Sequence, residues 1–318
     1  MKPCPATNCF IPQTTCTEGH LDPAECPVWS RANLEEPADA ENPDELILPW
    51  TGAALGRSDL GFVAGQGRST MIAVIGPENA GKTTLLAAWY LMIGRGTHGV
   101  QDATFAGSYT LSGWEAVARA MQWEPGAAPE FPPHTSTQGG REKGLLHLSF
   151  HTAPGSRRDY LFTDAPGLWF QKWALNERSA EGAGGAWIAA NADAFLIVAD
   201  SAALAGPDRS SARSSLQFLA RRLAASRRGR PVILVWTKSD VAVDPEMKRS
   251  ILDAISSQIP DYEEFQVSVR YSDEAHIAAL KNLSDLFNHV LNIRKLLQIL
   301  PPANASSNDP LFLVGARR

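Results

Sequence analysis

The chain has 318 residues, of which 44% are hydrophobic and 20% charged, and its net charge is −5. This composition is typical of a globular protein, and the negative charge argues against a dominant nucleic-acid-binding surface. No apolar run approaches the roughly 18 residues of a membrane span, and the N-terminus lacks the apolar core of a signal peptide, so we expect a cytoplasmic protein.

The N-terminal residues 1–27 carry a cysteine cluster. All four cysteines of the chain lie there, at Cys4, Cys9, Cys16 and Cys26. Cytosolic thiols stay reduced, so a cluster favours a metal site over disulfides, and four thiolates satisfy tetrahedral Zn²⁺. We predict a small zinc-ribbon-like module with a structural zinc ion, in which His20 is an alternative ligand. Because the spacings are irregular, unrelated thiols in an unstructured tail are the competing interpretation.

Residues 28–68 are predicted to form an acidic linker followed by an irregular segment. Between 28 and 48, six carboxylates face a single arginine, and few residues are apolar. Such one-sided charge is typical of a solvated connector. The main domain is predicted over 69–298, and a C-terminal tail over 299–318.

The first motif follows the apolar run Met71–Ile75, where residues Gly76–Thr84 read GPENAGKTT. This is the Gly-x-x-x-x-Gly-Lys-Thr pattern of a phosphate loop, in which backbone N–H groups and a helix N-terminus cradle phosphates. Lys82 is predicted to act in catalysis by reaching the β- and γ-phosphates, and the Thr83 hydroxyl to hold Mg²⁺. A chance match in an ordinary turn is the alternative. The predicted nucleotide-binding residues here are Glu78, Asn79, Ala80, Gly81, Lys82, Thr83 and Thr84.

The next segments are predicted from capping and turn signals. A helix near 112–123 has Ser112 as N-cap and Glu115 three residues later, which is a capping box. Residues 130–140 are predicted to form a loop rich in hydroxyl groups. Strands near 144–151 and 159–163, separated by a turn-rich stretch, indicate an antiparallel hairpin at the edge of the sheet.

The second motif is Asp164-Ala165-Pro166-Gly167, at the end of the second hairpin strand. A carboxylate there can hold Mg²⁺ through water, and the Gly167 N–H can meet the γ-phosphate, a catalytic role. The next residue is Leu168, which cannot orient a water molecule, so slow unassisted hydrolysis is expected. The nearby candidates for orienting the water are Gln171, Glu177 and His134. Trp169, Phe170 and Trp173 form either an exposed apolar surface for a partner or ordinary core.

The remaining chain alternates between helices and strands. Helices are predicted near 176–191, 208–228, 244–258 and 276–298, and strands near 194–200, 231–236 and 265–269. This alternation predicts an α/β fold with a mostly parallel sheet between helices, and a ligand at the carboxyl ends of its strands. Five arginines between 221 and 230 lie near one helix end, where a structural role is favoured over nucleic-acid binding.

The third motif, Thr237-Lys238-Ser239-Asp240, follows the apolar strand near 231–236. Asp240 can accept hydrogen bonds from N1–H and N2–H₂ of guanine, and the stem of Lys238 can stack along the base. Adenine lacks those paired donors, so the motif favours GTP over ATP and argues against an ATP-dependent kinase or ATPase. Thr237, Lys238 and Asp240 are therefore predicted to bind nucleotide.

Together the three motifs resemble the translation-factor-related class of P-loop GTPases. The segments 105–111, 132–135 and 146–148 resemble the bacterial double-GTPase families. The resemblance covers roughly 69–298 and implies the three-layer P-loop GTPase sandwich, GTP or GDP as ligand, and Mg²⁺. It also implies a partner protein, either a second GTPase or a GTPase-associated protein, in a conflict or defence system.

The resemblance also implies roles for single residues. Thr135, or else Thr137, would close on Mg²⁺ and the γ-phosphate during catalysis. Ser268 would bring a backbone N–H to the guanine carbonyl, and Asn79 resembles the residue of GTPases that bind K⁺ beside the phosphates. The expected function is a GTP-hydrolysing molecular switch, with a nucleotide-gated scaffold that scarcely hydrolyses GTP as the alternative.

Overall fold

The computed structural model describes residues 26, 54–56, 59–65, 69–96, 103–122, 144–153, 156–270 and 276–293. The chain divides into two units, Met1–Leu48 and Pro49–Arg318. In the first unit only Cys26 is described, as a buried free cysteine. The other predicted zinc ligands Cys4, Cys9 and Cys16 lie outside the described residues. The zinc-ribbon-like module and the predicted domain boundaries therefore stay predictions.

A single sheet contains all the strands of the described residues. They are β1 (Ser69–Ile75), β2 (Thr104–Gly107), β3 (Leu145–Ala153), β4 (Ser156–Thr163), β5 (Ala194–Asp200), β6 (Val232–Thr237) and β7 (Glu263–Gln266). Their order is β2-β3-β4-β1-β5-β6-β7. Neighbouring strands are parallel in the part of this order that runs β4-β1-β5-β6-β7. Strand β3 is antiparallel to both β2 and β4.

Helices connect the strands and cover both faces of the sheet. They are α1 (Leu60–Gly65), α2 (Lys82–Arg95), α3 (Leu111–Ala118), α4 (Gly167–Leu175), α5 (Ala183–Asn191), α6 (Ser201–Ala205), α7 (Arg209–Ser226), α8 (Pro245–Gln258) and α9 (His276–Asn292). The apolar core is accordingly divided between the two faces.

Strand β1 shows why the sheet lies in the middle of the fold. Successive side chains of a strand point to opposite faces, and β1 is apolar at almost every position, as in a sheet buried on both sides. Met71, Ala73 and Ile75 pack into one core with side chains of α4, α5, α7 and α8. Ile72 and Val74 pack into the other core with α2, α3 and α9. The predicted α/β fold with a mostly parallel sheet is confirmed.

The antiparallel hairpin is also confirmed, but it does not form the edge of the sheet. Strand β2 pairs with β3 on the outer side and is itself the edge. Sequence reasoning missed β2 because it has only four residues and is mostly exposed. A strand that short carries too few alternating positions to be recognised by pattern.

The predicted capping box of α3 is wrong. The helix begins at Leu111, so its N-cap is Thr110 rather than Ser112, and the Thr110 side chain makes no cap hydrogen bond. The hydroxyl of Thr110 instead accepts a hydrogen bond from the N–H of His147 at 2.8 Å. Glu115 accepts hydrogen bonds from the Tyr90 hydroxyl and the Gln122 amide. Tertiary contacts therefore recruit the groups that would otherwise cap the helix.

The predicted helix 176–191 is shorter than expected, because only α5 (Ala183–Asn191) lies within it, and the structure adds a separate helix, α4, that begins at the second motif. Helix α4 begins at Gly167 itself, so the three aromatic residues after it are helical. Phe170 and Trp173, one turn apart, are buried on the inner face, and Trp169 packs partly buried against the same core. The proposed exposed aromatic surface is therefore wrong for Phe170 and Trp173.

The arginines near the end of α7 make structural contacts. Arg227 donates to a carboxylate oxygen of Asp261 at 2.9 Å, and Arg222 donates to Glu177 at 3.1 Å. Arg230 donates to several backbone carbonyls, including that of Ala189 at 2.8 Å. These contacts agree with the structural interpretation of the cluster.

Candidate nucleotide-binding site

A cavity of about 590 Å³ opens at the carboxyl ends of the parallel strands. This volume suits a small-molecule ligand of nucleotide size. It lies where loops after parallel strands converge, the usual ligand position in this class of fold. The lining residues are Glu78, Asn79, Ala80, Gly81, Lys82, Thr83, Thr84, Leu85, Ala165, Pro166, Gly167, Ala202, Thr237, Lys238, Asp240, Val241, Val267, Ser268, Val269, Arg270 and Leu283.

One wall of the cavity is the loop between β1 and α2. Gly81 has φ 82° and Asn79 has φ 61°, so both lie in the left-handed region, which glycine and asparagine tolerate best. These turns let the chain reverse into a helix that begins at Lys82. The positive end of the α2 dipole therefore lies at the cavity wall, which favours an anionic ligand.

Lys82 is a buried cation in this loop. Its ammonium donates to the carbonyls of Gly76 at 3.1 Å and Pro77 at 2.7 Å. Burial lowers the pKa of Lys82 from 10.5 to about 8, although the charges of Asp164 and Glu78 act to raise it. Burial disfavours the charged form, and an anion bound nearby would restore it.

The phosphate loop and the second motif meet through oxygen atoms. The Thr83 hydroxyl lies 2.8 Å from a carboxylate oxygen of Asp164, and the Asp164 N–H donates to the carbonyl of Gly144 at 2.8 Å. A hydroxyl and a carboxylate are ligands that Mg²⁺ prefers. The donor set thus fits the predicted magnesium site.

The second motif also packs directly on the phosphate loop. A β-carbon added to Gly167 would lie 2.3 Å from the Glu78 nitrogen and 2.5 Å from the Pro77 carbonyl carbon. Because both atoms belong to the backbone, neither can move aside easily. Only glycine fits here, and the N-terminus of α4 therefore stays next to the loop.

The third motif forms another part of the cavity wall, next to the phosphate loop. The Thr237 hydroxyl donates to the Ala80 carbonyl at 2.7 Å, which ties the end of β6 to the phosphate loop. Lys238 donates to the Asn79 carbonyl at 2.8 Å. The Ser268 hydroxyl donates to one carboxylate oxygen of Asp240 at 2.6 Å. An ionised carboxylate has about four acceptor positions, so Asp240 keeps others for a ligand.

A family model described as Double-GTPase 2 matches residues 70–291, a span that contains all three motifs. The match covers well over half of the chain. The chain belongs to the Double-GTPase 2 family. This confirms the resemblance found in the sequence and assigns the chain to a family of GTP-binding proteins. A search of curated proteins found no match.

Solved structures that match this chain include two of Era and one of a Roco protein. Era in complex with MgGDPNP and nucleotides 1506–1542 of 16S ribosomal RNA is 19% identical, with 75% of this chain and 61% of that chain covered and a TM-score of 0.37. The Methanosarcina barkeri Roco2 RocCORdC structure bound to GDP is 14% identical, with 70% and 49% covered and a TM-score of 0.37. A point variant of Aquifex aeolicus Era bound to GDP.AlF4⁻ is 18% identical, with 78% and 64% covered and a TM-score of 0.36. This chain spans less than two thirds of each, and at these TM-scores the likeness carries no argument about function.

Several residues predicted to act in this Double-GTPase 2 chain do not line the cavity. Three of them lie outside the described residues: His134, Thr135 and Thr137. Of the other two side chains considered for orienting water, Gln171 lines a neighbouring cavity of about 180 Å³, and Glu177 pairs with Arg222 at the surface. Among the residues that the structure describes, the cavity wall offers neither of these groups.

One charged residue beside the site was missed by sequence reasoning. Asp200 is the last residue of β5 and is 7% exposed, and one of its carboxylate oxygens lies 2.6 Å from the Lys238 ammonium. The sequence signal that could have revealed Asp200 was a carboxylate at the carboxyl end of a fully apolar strand.

Among the described helices of this Double-GTPase 2 protein, none combines the length and apolar character that a membrane span needs.

Proposed function

We propose that this protein is a GTP-binding molecular switch that hydrolyses GTP with Mg²⁺ and does so slowly without a partner. The observation that carries the proposal is the convergence of three separate loops on one cavity. Lys82 and Thr83 of the phosphate loop, Gly167 of the second motif and Asp240 of the third all line it. A single nucleotide can contact all three only if its triphosphate lies on the phosphate loop and its base reaches Asp240.

The phosphate end supplies charge and hydrogen bonds. The Lys82 ammonium would turn from the loop carbonyls to the β- and γ-phosphate oxygens, and the N-terminus of α2 adds its dipole. Thr83 and Asp164 would hold the metal ion, and when bound Mg²⁺ neutralises charge that develops on the phosphate oxygens. The Gly167 N–H would meet the γ-phosphate, so loss of that phosphate would release α4.

The base end supplies specificity. The Asp240 carboxylate would accept from guanine N1–H and N2–H₂, while the Ser268 hydroxyl donates to one of its oxygens and so favours one orientation of the carboxylate. A bound base would cover the exposed Asp240 carboxylate, and a ligand without matching donors would then leave that carboxylate unpaired. Adenine presents no such donors, and the site therefore favours guanine nucleotides.

Slow turnover follows from what surrounds the γ-phosphate position. Leu168 follows Gly167 and has no group to orient a water molecule. A partner protein, either a second GTPase or a GTPase-associated protein, would then supply the missing group or stabilise the closed state, in which Thr135, or else Thr137, closes on Mg²⁺ and the γ-phosphate.

Calorimetry with GTP and ATP in Mg²⁺ tests the base assignment. We expect GTP to bind and ATP to bind far more weakly. Asp240→Asn should lose GTP affinity and gain affinity for xanthosine nucleotides, whose O2 accepts from the new amide. Asp244→Asn is the matched control, because Asp244 caps α8 and should leave both affinities unchanged. Unchanged GTP affinity in the Asp240 variant, or tighter binding of ATP by the wild type, would count against the assignment.

A nucleotide-gated scaffold with little hydrolysis is the second candidate, and Leu168 is the residue that favours it. Single-turnover hydrolysis of radiolabelled GTP, with and without the protein of a neighbouring gene, separates the two candidates. Conversion of bound GTP to GDP supports the switch. Stable GTP in both conditions supports the scaffold.

A potassium requirement is proposed from Asn79 alone. In this position of the loop, a monovalent cation could supply the charge that an arginine finger provides in other GTPases. Equal GTP turnover in K⁺ and Na⁺ buffers of the same ionic strength would rule it out. A role in a conflict or defence system rests only on family membership and would gain support from a co-encoded partner GTPase.

A further inference from the structure

The carboxylate of Asp200 is shared between a helix and the candidate base-binding lysine. One oxygen accepts hydrogen bonds from the N–H groups of Ala202 at 3.0 Å and Ala203 at 3.2 Å, which caps α6. The other oxygen lies 2.6 Å from the Lys238 ammonium. The Asp200 side chain is 7% exposed and that of Lys238 is 39% exposed. The cap holds the carboxylate in place, and its second oxygen faces the lysine.

Lys238 has an unusual backbone conformation. Its φ is 53°, in the left-handed region that residues other than glycine seldom adopt. This conformation lets the side chain return across the end of the sheet to the phosphate loop, where its ammonium donates to the Asn79 carbonyl at 2.8 Å. Asn79 itself has a positive φ of 61°. The ammonium thus joins the ends of β5 and β6 to the loop.

We propose that Asp200 is a positioning residue for guanine-nucleotide binding, acting through Lys238. Resting on the proposed function, this inference adds a residue that none of the three motifs contains. The charge-assisted contact holds the lysine stem along the cavity wall before the base arrives. Because this contact already orders the Lys238 side chain in the free protein, its conformational entropy is not lost when the nucleotide binds. The affinity for the nucleotide is therefore higher.

A purely structural role is the competing explanation, since Asp200 caps a helix. The chain contains a matched residue for that role. Asp244 caps α8 in the same way, accepting from Glu246 N–H at 2.9 Å and Met247 N–H at 3.1 Å, and is not among the described residues that line the cavity. Asparagine is as good an N-cap as aspartate, so an Asp→Asn change retains the cap at either position.

The test compares Asp200→Asn with Asp244→Asn in the full chain, by calorimetry with GDP and Mg²⁺ and by thermal unfolding. We expect Asp200→Asn to raise the Kd of GDP about tenfold or more, because the amide cannot replace the charged acceptor. Asp244→Asn should leave the Kd unchanged. Both variants should unfold within a few degrees of the wild type. A Kd for Asp200→Asn equal to that of the wild type would overturn the inference.

A double-mutant cycle with Lys238→Met separates positioning from general stabilisation. If Asp200 acts through Lys238, Asp200→Asn should have no further effect on Kd in the Lys238→Met background. The same fold loss in both backgrounds would overturn the inference. Failure to fold of both Asp200→Asn and Asp200→Ser, which retain a capping oxygen, would also overturn it in favour of a structural role. A wild type that binds no guanine nucleotide would instead defeat the proposed function.

Discussion

Lys82 combines a required charge with a buried position, and this makes nucleotide binding depend on pH. Burial lowers the pKa of Lys82 to about 8, so the free protein holds the ammonium below that pH and loses it above. Bound phosphates favour the charged form, and the free protein must then take up a proton to bind. We expect GDP affinity measured by calorimetry to be level between pH 6.5 and 7.5 and to fall above about pH 8, by at most about tenfold per pH unit.

Lys82→Arg is the control for this pH dependence. Arginine stays charged at all accessible pH values, so the affinity of this variant for GDP should not change across the same pH range. It should be lower than that of the wild type at every pH, because the guanidinium has a different geometry. An equal fall in both proteins would show that another group titrates.

Gly167 is a second residue whose effect follows from distances. A β-carbon there would lie 2.3 Å from the Glu78 nitrogen, and the backbone must shift to accept it. Gly167→Ala should lower the free energy of unfolding by about 1–3 kcal/mol, as overpacking does, and should slow GTP hydrolysis by moving α4 from the loop. Urea unfolding and single-turnover hydrolysis measure the two effects.

Gly94→Ala is its matched control. A β-carbon on Gly94 has no atom within 4 Å, and the residue lies inside α2. Alanine is the better helix former there, by about 1 kcal/mol. Hydrolysis should therefore be unchanged and stability equal or higher. Equal stability of the two alanine variants would contradict the close contact at Gly167.

At the scale of elements, the β3–β4 hairpin is held by a buried polar cluster. The His147 ring nitrogen Nε2 lies 3.1 Å from a carboxylate oxygen of Asp159, and Arg157 donates to that same oxygen at 3.0 Å. The His147 Nδ1 accepts from the Tyr109 N–H at 3.0 Å, which ties the segment between β2 and α3 to the hairpin. Burial by itself would raise the pKa of Asp159, but hydrogen bonds from His147, Ser149 and Arg157 lower it overall.

Asp159→Ala should therefore destabilise the fold by about 1–3 kcal/mol near neutral pH, because it leaves the buried side chains of His147 and Ser149 without their acceptor. The lowered pKa means that this contribution is present above about pH 4 and is lost as pH falls further, so wild type and variant should converge in acid. Asp261→Ala removes an exposed partner of Arg227 and should cost about 0–1 kcal/mol. Denaturant unfolding at pH 7 and pH 3 measures the loss of stability in both variants. Equal losses at pH 7 for Asp159→Ala and Asp261→Ala would contradict the role given to the buried cluster.

At the scale of the whole molecule, the N-terminal cysteines predict a second metal besides magnesium. The full chain purified without chelator should carry about one zinc ion, measured by elemental analysis, because four thiolates complete a tetrahedral site. Cys9→Ser should lower the zinc content, whereas Lys82→Met should retain it. Less than about half an equivalent in the wild type would remove the zinc-ribbon-like module.

The sequence by itself determined the phosphate loop, the two shorter motifs and the parallel part of the sheet. Each depends on residues close together in the chain, since apolar runs such as Met71–Ile75 predict strands without reference to distant partners. Spacing alone also places Gly76–Thr84, Asp164–Gly167 and Thr237–Asp240 at the carboxyl ends of strands. Loops at those ends meet in any parallel sheet, and so the cavity was foreseeable.

Only the tertiary structure decided the features that depend on residues distant in sequence. The hydroxyl of Thr110 accepts a hydrogen bond from the N–H of His147 instead of capping α3. Phe170 points into the core because α4 begins at Gly167. Asp200 faces Lys238 because β5 and β6 lie side by side with a register that aligns Asp200 with Thr237. Local propensity cannot report such pairings, because the free energy that selects them comes from packing and charge contacts formed only when the chain is folded.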